Sequence, residues 1–75
     1  MTKNEFIESI TKLRLNFESN SENWENKTIP DYLEALESYI NDIQGYYDKT
    51  QQNVNSEIAD WKVFSDILVG ASVYE

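Results

Sequence analysis

The chain has 75 residues, no cysteine and no histidine, and its 14 acidic and 6 basic residues give a net charge of −8. A chain this short forms a single domain, 1–75, with a small core and no room for a deep enzymatic cleft. The absence of cysteine excludes disulfides and thiolate chemistry, and it favours a cytoplasmic location because small secreted domains usually carry disulfides. The charge disfavours binding to nucleic acids and anionic membranes, and no apolar run is long enough to span a bilayer.

The first predicted helix covers residues 3–18. Thr2, followed by Glu5 three positions later, is a candidate capping box. Spacings of four, three and four residues place its main apolar side chains in one stripe: Phe6, Ile10, Leu13 and Phe17. Leu15 falls on the opposite side, so either the helix ends before it or Leu15 meets a second surface. The alternation over residues 13–17 also permits a short strand, but no second strand-like run is present to pair with it.

The first connection, residues 19–27, is rich in asparagine and serine, as turns are. Trp24 is its one large apolar residue. We expect Trp24 to anchor the connection by folding back onto the central or the first helix. The alternative is an exposed tryptophan that binds a partner.

The central helix is predicted over residues 29–48 and has the clearest start signal in the chain. Thr28 is placed to cap it, Asp31 stands at the third helical position, and Pro30 lies in the first turn, where its missing N–H is harmless. Alternating spacings of four and three form a heptad-like seam that is predicted to face the core: Ile29, Leu33, Leu36, Ile40, Ile43 and Tyr47. The opposite side of the helix carries mostly acidic and amide side chains.

Three tyrosines, Tyr32, Tyr39 and Tyr46, recur every seven residues along one edge of this seam. They fit a boundary layer with rings on the core and hydroxyls in water. The alternative is a protein-binding surface, since tyrosine is enriched at interfaces. On that hypothesis the stripe acts with Trp24 and with acidic neighbours such as Glu34 and Asp42.

The third helix is predicted over residues 57–73, after a connection without periodicity. Asn55 or Ser56 is placed to cap it, and Asp60 is a later alternative. A broad apolar arc suggests that this helix is the most buried of the three: Trp61, Val63, Phe64, Ile67, Leu68 and Ala71. The small residues at 70–72 suggest close helix approach or fraying. The connection itself is not a calcium loop, because Asn53 stands where such a loop needs glycine.

The composition argues against catalysis. Without histidine or cysteine the usual general base and the common nucleophile pairs are missing, and the two glycines form no phosphate-binding loop. The carboxylates Asp31, Glu34 and Glu37 follow the outer face of the central helix, with no apolar pocket to raise a pKa. We therefore expect no enzymatic activity, no cofactor and no metal site.

Several segments together resemble a family of small acidic bacterial proteins of unknown function. The resemblance rests on Trp24-Glu25-Asn26-Lys27-Thr28, Gly45-Tyr46-Tyr47, Trp61-Lys62-Val63-Phe64 and the closing Tyr74-Glu75. It covers roughly residues 23–75, and the chain departs from the family pattern with Ile29 in place of leucine. The resemblance implies a bacterial origin and a shared fold, and it implies no activity.

The sequence thus predicts a compact all-α domain of three helices. The expected core residues are Phe6, Ile10, Leu13, Phe17, Ile29, Leu33, Leu36, Ile40, Ile43, Tyr47, Trp61, Phe64 and Leu68. The favoured function is a non-catalytic interaction module with a basic protein partner, for example an immunity-like inhibitor. The alternative is a small carboxylate-based, metal-dependent enzyme or accessory protein. The chain is expected to be a monomer or a homodimer, and exchange of the first helix between two copies is one route to the dimer.

Overall fold

The computed structural model describes all residues, Met1–Glu75, and contains three α-helices and no strand. Helix α1 spans Lys3–Asn20 and runs into one turn of 3-10 helix, Ser21–Asn23; α2 spans Ile29–Lys49 and α3 spans Trp61–Ala71. The predicted all-α, three-helix fold is confirmed. The first helix continues past Leu15, which faces solvent, so the short strand is excluded.

Side-chain caps fix the start of each helix. Thr2 and Glu5 form the predicted capping box, with the Glu5 N–H donating to Thr2 Oγ1 at 3.2 Å and the Thr2 N–H donating to Glu5 Oε1 at 2.7 Å. The bond from the Thr2 N–H lowers the pKa of the Glu5 carboxyl. Thr28 Oγ1 accepts the Asp31 N–H at 3.2 Å, as expected for the start of α2.

The predicted start of the third helix at residue 57 is wrong. The Ser56 N–H donates to Gln44 Oε1 at 2.8 Å and the Glu57 N–H donates to Asn55 Oδ1 at 2.9 Å, so this segment forms a turn held against α2. Asp60, the later alternative, caps α3 by accepting the Lys62 N–H at 2.7 Å. The helix also ends two residues earlier than predicted, at Ala71.

Helix α3 lies in the middle of the fold. It packs against both α1 and α2, whereas α1 and α2 do not pack against each other. On the α1 side, the Phe6 and Trp61 ring centroids are 5.2 Å apart, and Ser65 Oγ donates to Ser9 Oγ at 3.0 Å. The fully buried core lies on the α2 side and consists of Ile43, Tyr47 and Val63, with Tyr39, Val54 and Ile67 packed around it.

The predicted core is correct for only part of its residues. Ile43 and Tyr47 are buried, and Phe6, Leu13, Leu36 and Leu68 are half-buried. The remaining seven are exposed: Ile10, Phe17, Ile29, Leu33, Ile40, Trp61 and Phe64. For the three on α2 the reason is that this helix turns the edge with Ala35, Tyr39 and Ile43 towards α3, which leaves half of its heptad seam exposed.

A glycine on α3 permits this orientation. A Cβ atom at Gly70 would collide with the ring of Tyr39, whereas the glycine lets that ring approach α3 closely. The small residues at 70–72 therefore allow a close approach of the helices, which is one of the two predicted alternatives. They do so because they leave room for Tyr39 of α2.

Candidate interaction surface

Two apolar grooves meet at Leu68 of α3, which lines both of them. The first, about 330 Å³, runs between α1 and the start of α2; the second, about 490 Å³, runs between α2, α3 and the connection before α3. Together they form what we call the apolar face. Its exposed apolar members are Ile10, Phe17, Ile29, Ile40, Ile58 and Phe64.

Three of these side chains are at least half exposed. Ile29 is 72% exposed, Ile58 60% and Ile40 50%. Leu33, 56% exposed, lies on the same edge of α2 between Ile29 and Ile40. Single exposed apolar residues are ordinary, but a contiguous apolar surface on a soluble chain typically marks a contact site.

The total surface of the molecule supports the same point. The accessible surface is 5451 Å² for a mass of 8.8 kDa. Folded monomers of this mass expose about 4,800 Å², so the chain exposes roughly 650 Å² more than its size requires.

The apolar face carries little charge although the chain is strongly acidic. Arg14 and Lys27 line the first groove, and Glu57 is the only ionisable residue that lines the second. Thirteen of the 14 acidic residues therefore lie outside the face. Arg14 also pairs with Glu18 at 3.2 Å, in a surface ion pair of little energetic weight.

The three predicted binding tyrosines do not share one free surface. The Tyr32 hydroxyl donates to the Leu68 carbonyl at 2.6 Å, and burial raises its pKa. Tyr39 lies against Gly70 and its ring centroid is 5.0 Å from that of Tyr74; burial raises its pKa as well. Tyr46 alone is exposed, so two members of the stripe hold α2 and the C-terminal segment in place.

The other predicted site residues lie in two separate places. Glu34 lines a small polar hollow of about 120 Å³ on the outer side of α2, together with Asp31 and Glu75. Asp42 accepts the Tyr74 hydroxyl, and that hydrogen bond raises the pKa of Tyr74.

Trp24 anchors the first connection, as predicted. Its Nε1–H donates to Asn16 Oδ1 at 2.7 Å, and its ring lies 5.0 Å from that of Phe17 and 6.0 Å from that of Tyr32, centroid to centroid. It also lines the first groove, so one edge of the ring borders the apolar face.

Two residues with important contacts were not predicted from the sequence. The Asn26 amide donates to the carbonyls of Ala71 and Tyr74 at 2.8 and 2.7 Å, which ties the first connection to the end of α3. Ile58 lies in the stretch that was wrongly predicted as the start of the third helix, outside the predicted apolar arc, yet it lines the second groove. The Trp-Glu-Asn-Lys-Thr segment draws attention to Asn26 in the sequence, but only the fold shows its hydrogen-bond partners.

A polar cluster between α2 and α3 serves packing. The buried Tyr47 hydroxyl donates to Asp66 Oδ2 at 2.7 Å, and Lys62 Nζ donates to the same oxygen at 2.6 Å while lying 5.1 Å from the Tyr47 ring centroid. The pKa of Tyr47 is strongly raised, mainly because the group is buried and secondly because it bonds to Asp66. No three acidic side chains lie close enough together to hold a metal ion.

Fold and surface together define a small three-helix protein with an uncovered apolar face. The chain belongs to the family of unknown function DUF7660, whose model matches residues 2–75. No curated protein and no solved structure matches it significantly. None of its helices combines the length and the apolar character that crossing a bilayer requires.

Proposed function

We propose that this chain is a non-catalytic protein-interaction module that binds through the apolar face. The observation that carries the proposal is the excess surface of roughly 650 Å², together with an open row of isoleucine and phenylalanine side chains that is bordered by few charges. Burying apolar area against another protein contributes about 25 cal/mol per Å², which supplies the driving force for association.

The chemistry of the face supports binding rather than catalysis. Its two grooves are lined mainly by aliphatic and aromatic side chains, and their only ionisable residues are Arg14, Lys27, Tyr32 and Glu57. Tyr47, whose pKa is strongly raised, donates its hydroxyl to Asp66 where α2 packs on α3. The carboxylate-based enzyme has no comparable observation in its favour.

Site-specific cross-linking in the native cell tests the proposal. A photoreactive residue at Ile40 lies on the apolar face, and one at Leu15, which is about equally exposed (50% and 49%), lies outside it. We expect protein adducts from position 40 and none from position 15, and we expect Ile40→Glu to abolish binding of the purified adduct protein. Equal labelling from both positions, or no adduct from position 40, contradicts the proposal.

We assign the binding of a basic protein partner to a different surface, the outer side of α2. Residues 28–48 contain five carboxylates and neither lysine nor arginine, and Asp31 and Glu34 lie together at the polar hollow. Such a surface steers a cationic protein during association. A photoreactive residue at Glu34 should then label a protein of net positive charge, and labelling should fall steeply with added salt; labelling that is insensitive to salt contradicts this assignment.

A further inference from the structure

We propose that the occupant of the apolar face is a second copy of this chain, so that the protein forms a two-fold symmetric dimer. This inference rests on the proposed function, because it names the partner of the same surface. The area, the charges and the core of the molecule support it independently.

The area fits a dimer. A stable interface of standard size buries about 800 Å² on each partner. The chain exposes roughly 650 Å² more than a monomer of its mass requires, which is close to that value. On α2 the exposed edge extends from Ile29 to Ile40, a length of about 16 Å, so one helix offers its copy a continuous strip of apolar side chains.

The charges allow two copies to meet here and disfavour contact elsewhere. Each chain carries a net charge of −8, so most surfaces repel their counterparts. The apolar face carries two positive residues and one negative, a net charge of +1. Self-association through this face therefore brings only one carboxylate of each chain, Glu57, into the contact.

The positions of these charges also suit two-fold symmetry. In an interface of this kind the contact of residue i with residue j occurs twice, once in each direction. Lys27 lies in the first groove and Glu57 in the second. An antiparallel arrangement of two copies therefore brings the first groove of one chain near the second groove of the other and pairs opposite charges at both ends.

The small core supplies the energetic reason. Only Ile43, Tyr47 and Val63 form the buried cluster, and 7 of 75 residues are buried in all. Chains of this size often gain stability from oligomerisation. A second copy over the apolar face would cover the exposed part of the α2 seam and Phe64 of α3, which the single chain leaves in water.

Sedimentation equilibrium of the full chain, from low-micromolar to near-millimolar concentration, tests the dimer. We expect the mass of two chains, with Ile40→Glu weakening the dimer roughly 100-fold, because symmetry places the new charge in the interface twice at about tenfold each. Leu15→Glu adds the same charge outside the face and should leave the dimer intact. Ile29→Glu should act like Ile40→Glu, and it keeps the helix because a carboxylate is favourable in the first turn.

Two results would overturn the inference: the mass of one chain at every concentration, or a dimer that Ile40→Glu and Leu15→Glu weaken equally. These results are distinct from failure of the proposed function. A monomeric chain that still cross-links to another protein from position 40 keeps the interaction surface and loses only the second copy as its occupant. A monomeric chain without such adducts loses both.

Discussion

At the scale of single residues, two glycines with opposite surroundings sit in helices. Gly70 faces the ring of Tyr39, while nothing lies near Gly45 on the open side of α2. The first glycine is required by packing, and the second only weakens its helix. Their alanine variants form a matched pair, because both change a helical glycine to the same residue.

We predict that Gly70→Ala lowers the free energy of unfolding by about 1–3 kcal/mol, since the new methyl group displaces Tyr39. Gly45→Ala should raise it by about 1 kcal/mol, which corresponds to a melting temperature roughly 4–8 °C higher in a domain of this size. Thermal unfolding followed by circular dichroism measures both. Two variants that shift in the same direction would show that α2 and α3 do not approach each other as described.

The tyrosines give the stability a defined dependence on alkaline pH. Burial and the bond to Asp66 raise the pKa of Tyr47, and the pKa values of Tyr32, Tyr39 and Tyr74 are raised as well. A raised phenol pKa means that the folded state holds its proton longer than the unfolded chain does. Its contribution is fully present below the ordinary value of about 10 and is lost as the pH rises above it.

We therefore predict that the urea midpoint is steady below about pH 10 and falls as the pH rises further. Tyr47→Phe should cost about 1–2 kcal/mol at neutral pH, because it removes the hydrogen bond to Asp66, and should make the alkaline fall shallower. Tyr46→Phe is the control, since that ring is exposed. An equal alkaline slope in wild type and in Tyr47→Phe would contradict the role of Tyr47.

At the scale of elements, the two connections are built as clamps. The first donates from the Asn26 amide and from the Glu25 N–H to carbonyls at the end of α3, the latter to Ser72 at 2.9 Å. The second is held by Gln44, whose Nε2 donates to the Val54 carbonyl at 2.9 Å and whose Oε1 accepts the Ser56 N–H at 2.8 Å. The bonds of the first connection join segments that are 45 or more residues apart and satisfy carbonyls that the end of α3 leaves free.

Asn26→Ala is expected to lower the free energy of unfolding by about 1–3 kcal/mol, because two partly buried carbonyls lose their donor. Hydrogen exchange adds a local readout: protection of the Glu25 N–H should drop, since its acceptor lies on the segment that Asn26 holds. Asn23→Ala, at an exposed site with only a local contact to Asn20, should change neither quantity. Unchanged exchange at Glu25 in Asn26→Ala would disprove the clamp.

The same elements show what sequence reasoning can and cannot reach. Helix existence, the caps at Thr2 and Thr28 and the anchoring role of Trp24 follow from local rules, and they are confirmed. Which side of α2 packs inward depends on Gly70, a residue far along the chain. Its small size favours the side that carries Tyr39 over the side that carries Ile29 and Ile40. Periodicity identifies an apolar stripe, but it does not distinguish a stripe that meets the chain's own core from one left open to a partner.

At the scale of the whole molecule, the arrangement of three helices creates the interaction surface. The molecule measures 32 × 28 × 19 Å, and α3 is flanked by two helices that do not meet. One side of α3 therefore stays uncovered, and the apolar side chains of α1 and α2 border it. The site is a property of this topology, and no single motif of the sequence encodes it.

Two isoleucines on α2 test this account most directly, because Ile40 is 50% exposed and Ile43, three residues later, is 1% exposed. Each is changed to alanine, and urea unfolding is measured at a chain concentration where sedimentation gives the mass of one chain. We predict a loss of about 2–5 kcal/mol for Ile43→Ala and less than about 1 kcal/mol for Ile40→Ala. Equal losses, or a larger loss for Ile40→Ala, would mean that the side of α2 that carries Ile40 is part of the core of the single chain and that the apolar face does not exist.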